Sequence, residues 1–217
     1  RLTTEQTFQF SIRAQSVDQL LWYVLGINLF FGLVAGMILL ALIYNLAIGI
    51  KARESAYCYY AFYVFCNLVY STVTMGYIHM LFPEWGSAAI ISNTTTILVI
   101  LSAILFLRQF LETKQQLPRY DLGLKTMIWL CCLSILSLPF LSAFVEYVVA
   151  ISIGVSSPVI VLIAGILSLR QGHPMAKYFL VAWTIFLISA GCWGWMWLGL
   201  VEPKEWVIWL YLFGTLT

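Results

Sequence analysis

Three uncharged polar residues, Asn67, Ser71 and Thr74, recur at i, i+4 and i+7 within a long apolar stretch. That spacing sets them on one face of a helix. Asn93 and Thr96, three residues apart, can share a face in the same way further along. Amides and hydroxyls among apolar residues either hydrogen-bond between helices, at roughly 0.6 kcal/mol per bond, or line a polar path that opens and closes with a signal. The interhelical reading is the simpler of the two. More demanding chemistry has no residues to perform it. The apolar runs hold no pair of carboxylates, and the chain has no His-Glu-x-x-His and no Gly-rich phosphate loop. The two histidines, His79 and His173, fall at the ends of apolar runs and read as interfacial polar groups rather than ligands. Cys58, Cys66, Cys131, Cys132 and Cys192 all lie within apolar runs, as small packing groups and not as a disulfide framework or a zinc site. No catalytic residue, cofactor or metal is expected, and this segment is not read as an enzyme.

The elements that position these residues follow from composition. Apolar residues make up 62% of the 217, and Asp, Glu, Lys and Arg together only 9%. The mean hydropathy is +0.94. A chain with so few charges cannot cover a water-facing surface. A spanning helix needs roughly 20 apolar residues, and uncharged runs of that order follow one another over residues 20–50, 56–82, 88–107, 126–145, 147–169 and 178–201. A seventh run starts at Trp206 and reaches Thr217. Barrel strands would be shorter and would alternate apolar with polar. The runs are continuous, so each must satisfy its own backbone by helical bonding. The fold class is therefore an all-α integral membrane bundle of seven helices, the seventh cut short. Residues 1–19 form an outer tail and residues 20–217 the transmembrane domain.

Charge sets the orientation. Lys51, Arg53, Arg108, Lys114, Arg119, Lys125, Arg170 and Lys177 lie in alternate connections, against Arg1, Arg13 and Lys204 on the other side. The side richer in Lys and Arg faces the cytoplasm, so the N-terminus is outside and the C-terminus heads inside. Acidic residues lean the other way, with Glu5, Asp18, Glu84, Glu146, Glu202 and Glu205 outside and Glu54, Glu112 and Asp121 inside. Trp22, Trp85, Trp193, Trp195, Trp197, Trp206 and Trp209 gather at the outer helix ends, where indoles favour the headgroup level. The longest connection, residues 108–125, is cytoplasmic and contains Pro118, while the outer connections are short.

No Asp, Glu, Lys or Arg is expected in the interior of the six complete spans. Carriers of ions or protons place such residues at mid-depth, at a cost of at least about 2.5 kcal/mol each, so that class is disfavoured, and a retinal Schiff base lacks its lysine. Gly32 and Gly36 form G-x-x-x-G on the first helix, where another helix can approach closely. Pro139 in the fourth helix and Pro158 in the fifth are expected to kink those helices.

Several short strings together carry a resemblance. The first helix ends in Tyr44-Asn45, and Arg53, Tyr57, Tyr59 and Tyr60 open the second, which has Gly76 near its outer end. Ala176-Lys177-Tyr178-Phe179-Leu180-Val181-Ala182-Trp183 opens the sixth. In order and spacing these resemble the membrane domain of bacterial seven-transmembrane receptors with diverse intracellular signalling modules, over roughly residues 20–217. The resemblance implies a sensor core in the bacterial inner membrane. It would be preceded by an extracytoplasmic domain that binds an unidentified ligand, carbohydrate being one type, and followed by a histidine kinase or diguanylate cyclase. It also implies a homodimer, with the lipid bilayer as its surroundings and no nucleic acid among its partners. Residues 7–16, with Phe8, Phe10 and Ile12 alternating with polar residues, read as the last strand of the preceding domain. Arg53 and the tyrosines near it are assigned to anchoring, and Asn45 to a hydrogen bond with a neighbouring helix end. The alternative function is a transporter or channel for an uncharged or lipid-like substrate, lined by Asn67, Ser71 and Thr74.

Overall fold

A computed structural model describes residues 16–81, 88–197 and 205–214. Of the strand expected over residues 7–16, all but Ser16 lies outside the described residues, as do the side chains of His79, Trp85, Trp193, Trp195, Trp197 and Trp209. Everything described is helix or short connection, with no strand. In order the helices are α1 (Val17–Ala52), α2 (Ser55–Thr74), α3 (Tyr77–Leu81), α4 (Ala88–Phe110), α5 (Thr113–Gln116), α6 (Pro118–Ser137), α7 (Ala143–Arg170), α8 (Ala176–Trp197) and α9 (Glu205–Gly214). Of these, α1, α4, α6 and α7 are each long and apolar enough to cross a membrane. The described apolar part of α8, Ala176–Cys192, is shorter. In α2, Tyr57, Tyr59, Tyr60, Tyr63, Asn67, Tyr70 and Ser71 dilute the apolar character.

The helix boundaries have local causes. Ser16 caps α1 with its hydroxyl on the Gln19 N–H at 3.3 Å, and the Gln19 side chain returns to the Ser16 N–H. This reciprocal pair satisfies two donors at the helix start. Arg53 ends α1 in the left-handed region, at φ 56°. With 36 residues, α1 is about 54 Å long and exceeds the hydrocarbon thickness of a bilayer. The second span is not one helix as expected. Gly76, at φ +82°, turns the chain after the Met75 N–H has closed on Ser71 O at 3.0 Å, and α3 follows. The α7–α8 connection uses the same device, with Gly172 also at φ +82° and the His173 N–H reaching back to Ser168 O at 3.1 Å.

The largest departure concerns the fourth span. The helix there begins at Pro118, eight residues before the expected start, because proline at the first helical position has no N–H to lose and its φ is already helical. The connection expected over residues 108–125 is therefore mostly helix. Pro139 does not kink a helix. It lies in a 3-10 turn, Leu138–Phe140, that ends α6. Pro158 is inside α7 as expected. Glu146, expected in an outer loop, lies in the first turn of α7 and is only 3% exposed. Its Oε2 has no hydrogen-bond partner among the described residues. Glu146 and, as shown below, Asp121 are thus buried ionisable residues in the first turns of helices, at positions where connections were expected.

Helix α4 is the hub and packs against α2, α6 and α7. Its Ile104 and Leu107 meet Leu124 of α6, Val161 and Ala164 of α7, and Ala176 and Phe179 of α8. Val99 and Ala103 turn to α1 and α2, joining Phe31, Val34, Ile38, Tyr63 and Val64. Val207 and Tyr211 bring α9 onto Phe186 and Ala190 of α8 and Tyr70 of α2. Outward-facing positions are apolar as well. Leu29, Leu33 and Leu40 on α1, Leu130, Leu133 and Leu136 on α6, and Ile185 and Ile188 on α8 are all exposed. Apolar side chains outside and polar ones buried is the arrangement a bilayer favours.

Three glycines set the closest helix contacts. A Cβ at Gly49 would stand 2.8 Å from Cys58 Sγ on α2, and one at Gly165 would stand 2.7 Å from Leu180 Cδ2 on α8. One at Gly214 would collide with Ser189 Oγ. Gly32 and Gly36 are different. A Cβ at either would meet nothing within 4 Å, so the close approach is not made among the described residues.

Candidate functional site

An aromatic column runs through the bundle. Tyr60 and Tyr63 of α2 lie 5.3 and 6.3 Å, ring centre to ring centre, from Phe106 of α4. Phe106 leads to Phe110 at 5.2 Å, and Phe110 to Phe179 of α8 at 6.1 Å. Phe179 stacks on Trp183 at 5.8 Å, and Trp183 meets Phe186 at 5.2 Å. Such contacts add to area burial through ring electrostatics. They tie three helices together, so a shift of one is felt by the others.

Beside this column lies the polar face predicted for α2. Asn67 and Ser71 are both 1% exposed. The interhelical hydrogen bonds expected of the set do not form among the described residues. Asn67 Nδ2 donates to Tyr63 O of its own helix at 3.0 Å, and Thr74 Oγ1 to Tyr70 O and Ser71 O at 3.0 and 3.1 Å. Asn67 Oδ1 and Ser71 Oγ have no partner among the described residues, and neither does the buried indole N–H of Trp183. Thr96 donates to Ser92 O at 2.8 Å. Helical periodicity separates the α4 pair, because Thr96 shares a strip with Val99 and Ala103 toward α2 while Asn93 shares one with Ile97, Ile100 and Ile104 toward α6 and α7. Of the predicted polar set, Asn67 and Ser71 are the members whose side-chain oxygens stay without a partner among the described residues.

A second centre lies at the end of the bundle where the basic residues gather. Arg108, near the end of α4, forks onto Asp121 in the first turn of α6, with Nε to Oδ1 at 2.7 Å and Nη2 to Oδ2 at 3.1 Å. Thr113 of α5 donates its hydroxyl to Oδ1 at 2.9 Å, and Lys125 Nζ stands 3.3 Å from Oδ2. Asp121 is 2% exposed and Thr113 fully buried. Glu112, at φ 47°, turns the chain sharply just before Thr113. A bidentate guanidinium–carboxylate pair is among the stronger and more directional side-chain contacts. Nearby, the Tyr120 hydroxyl donates to Ile160 O of α7 at 2.6 Å. Together these groups clasp α4, α5, α6 and α7. The sequence alone places all of these charges in the cytoplasmic connection over residues 108–125. The signals that locate the clasp are Pro118 as a helix start, Asp121 three residues on in the first turn, and Lys125 at i+4 from it.

The remaining motif residues serve packing. Asn45 Nδ2 donates to Ala41 O at 2.8 Å, within its own helix rather than to a neighbour. Tyr44 is exposed on α1. Tyr57 packs at the Gly49 contact, and Tyr60 and Trp183 belong to the aromatic column. No group of His, Cys, Asp and Glu able to hold a metal occurs among the described residues.

A family model described as 7TM diverse intracellular signalling matches residues 27–217. No curated protein and no solved structure matches the chain.

Proposed function

The chain belongs to the 7TM diverse intracellular signalling family and is a multi-pass membrane protein, and from that premise we propose that it is the membrane core of a sensor that couples an extracytoplasmic signal to a cytoplasmic output module. The basic end of the bundle faces the cytoplasm of a bacterial inner membrane. Residues 1–19 lead from a sensor domain whose ligand class includes carbohydrates. The output module is a histidine kinase or a diguanylate cyclase, and the working unit is a homodimer.

The observation that carries this reading is the aromatic column from Tyr63 through Phe106 and Phe179 to Phe186, which links helices α2, α4 and α8. A column of packed rings has discrete arrangements rather than a continuum of them, which is what a two-state relay requires. Away from their terminal turns, α2, α4 and α8 carry no charged residue with which to move ions.

Reading the gene beyond Thr217 tests the proposal. A cytoplasmic catalytic module is expected there, and a reading frame that finishes the seventh helix and stops would count heavily against it. In the full-length protein, Trp183→Ala should then change output without loss of the folded protein. Saturable uptake of a neutral solute into proteoliposomes, abolished by Asn67→Leu, would favour a transporter instead.

A further inference from the structure

The clasp at the basic end holds more positive charge than it uses. Arg108 alone meets both oxygens of Asp121, at 2.7 and 3.1 Å, and Thr113 adds its hydroxyl to Oδ1. Lys125 is then a second cation on a carboxylate already matched, with Nζ 3.3 Å from Oδ2. Neither Glu54 nor Glu112 forms an ion pair among the described residues, so no other acid takes up the surplus. An ammonium carries three donors, and Asp121 engages one of them.

The surplus lies on the outer side of the bundle. Asp121, Leu124, Met127 and Cys131 form the buried side of α6. On the opposite side Arg119, Leu122, Lys125, Trp129, Leu133 and Leu136 are all exposed. Arg119 and Lys125, six residues apart, stand about 120° apart around the helix and about 9 Å apart along it, with Leu122 midway. The Arg119 guanidinium has no ion pair among the described residues. In a chain that crosses the membrane this side of α6 meets lipid. Trp129 follows Lys125 by one turn, and an indole favours the level where headgroups meet acyl chains. A cation at that level without a matching anion is costly, and the anion present there is the lipid phosphate.

We propose that the exposed side of α6 at the basic end is a binding site for an anionic phospholipid. Its phosphodiester oxygens take the free donors of Lys125 and the Arg119 guanidinium, and its acyl chains lie along Trp129, Leu133 and Leu136. Lys125 touches Asp121 as well, so the bound lipid completes the clasp from outside and braces α6 against α4. The site rests on the chain's crossing a membrane and not on the sensor reading.

The test uses the full chain in dodecyl maltoside, a neutral detergent, with dioleoyl-phosphatidylglycerol titrated in as the probe and thermal unfolding as the readout. Dioleoyl-phosphatidylcholine, whose choline cancels the phosphate charge, is the comparison. Phosphatidylglycerol should raise Tm saturably and phosphatidylcholine should not. Lys125→Met removes the ammonium and should weaken the apparent affinity for phosphatidylglycerol about fivefold, and its combination with Arg119→Gln about 25-fold. Lys51→Gln, at the basic end of α1 and off this face, should leave that affinity unchanged. If Lys125→Met fails to fold, Arg119→Gln alone, at an exposed position outside the clasp, supplies the measurement. Glycerol phosphate, the headgroup without acyl chains, should not raise Tm at the same concentration.

Equal Tm shifts from the two lipids would overturn the proposal. So would an affinity that the folded variants of Arg119 and Lys125 leave intact, or one that Lys51→Gln lowers as much as they do. A shift reproduced by glycerol phosphate would replace the lipid with a free phosphate. A variant that changes the oligomeric state instead of lipid affinity would show that a second copy covers this face, which also overturns the site. None of these measurements reads output activity, so failure here is distinct from failure of the sensor reading.

Discussion

The clasp at the basic end and the polar layer within α2 treat buried polarity in opposite ways. Asp121 is met by Arg108, Thr113 and Lys125, with donors on both carboxylate oxygens. Asn67 and Ser71, equally buried, keep an oxygen each without a partner among the described residues. A satisfied network fixes the elements that contribute to it. Unsatisfied groups hold nothing in place, and their retention in an apolar interior needs another reason. The contrast locates rigidity at the α4–α6 end of the bundle and leaves the polar face of α2 without such a fastening.

The harshest way to break this contrast is to take away the guanidinium. Arg108→Leu leaves Asp121 with only Thr113 and Lys125, and a loss of about 3–5 kcal/mol is expected, read as a lower Tm in detergent. Arg108→Leu combined with Asp121→Leu should recover most of that loss, because no charge then stays buried. A double variant as unstable as the single one would show that the guanidinium does more than neutralise Asp121. A milder cut is Thr113→Val, which keeps the shape and removes one hydrogen bond to a charged group. The expected loss is about 2 kcal/mol, and an unchanged Tm would mean that α5 is held by packing alone. In the polar layer the expectation reverses. Asn67→Leu should shift stability by less than about 1 kcal/mol, in either direction, because the apolar replacement leaves no unpaired oxygen. A loss as large as that of Arg108→Leu would erase the distinction between the two regions. The smallest effect belongs to Lys125→Met. The lysine side chain is 48% exposed, so its contribution is about 0.3–0.5 kcal/mol and declines further as salt is raised.

Much of the fold was legible in the sequence because helices in lipid announce themselves by length. The uncharged runs over residues 20–50, 88–107, 147–169 and 178–201 each correspond to a single helix, α1, α4, α7 and α8. Errors arose where charge was taken to mean water. Asp121 and Lys125 were assigned to a loop, yet a carboxylate met by a guanidinium is tolerated inside a packed helix end, and α6 starts with Pro118. Glu146 was misplaced for the same reason. Gly76 marked a helix end, but its positive φ and the break into α3 were not foreseen. In the candidate site, the spacing of Asn67, Ser71 and Thr74 placed them on one helix face, and of the three Asn67 and Ser71 are buried. For Asn93 and Thr96 the spacing alone does not decide the interface, because three residues on a helix can straddle two of them, and α4 has neighbours on both sides. That the Trp183 indole N–H is buried without a partner among the described residues depends on how α8 packs in the bundle, which is tertiary information that no local pattern contains.

The glycines at positions 49, 165 and 214 bear on how such a bundle can move. At each, the neighbouring helix sits in a notch where a side chain would otherwise stand, and at Gly49 the positions one turn earlier on the same face are Asn45 and Leu46. A piston stroke along the helix axis would drive the partner out of the notch and into such bulkier neighbours, and rotation about that axis would swing Ile48 or Ile50 into the same space. Tilting about the notch meets neither obstacle. The three contacts therefore act as pivots, and a message crossing this bundle would travel as a change of angle between helices rather than as a displacement along them.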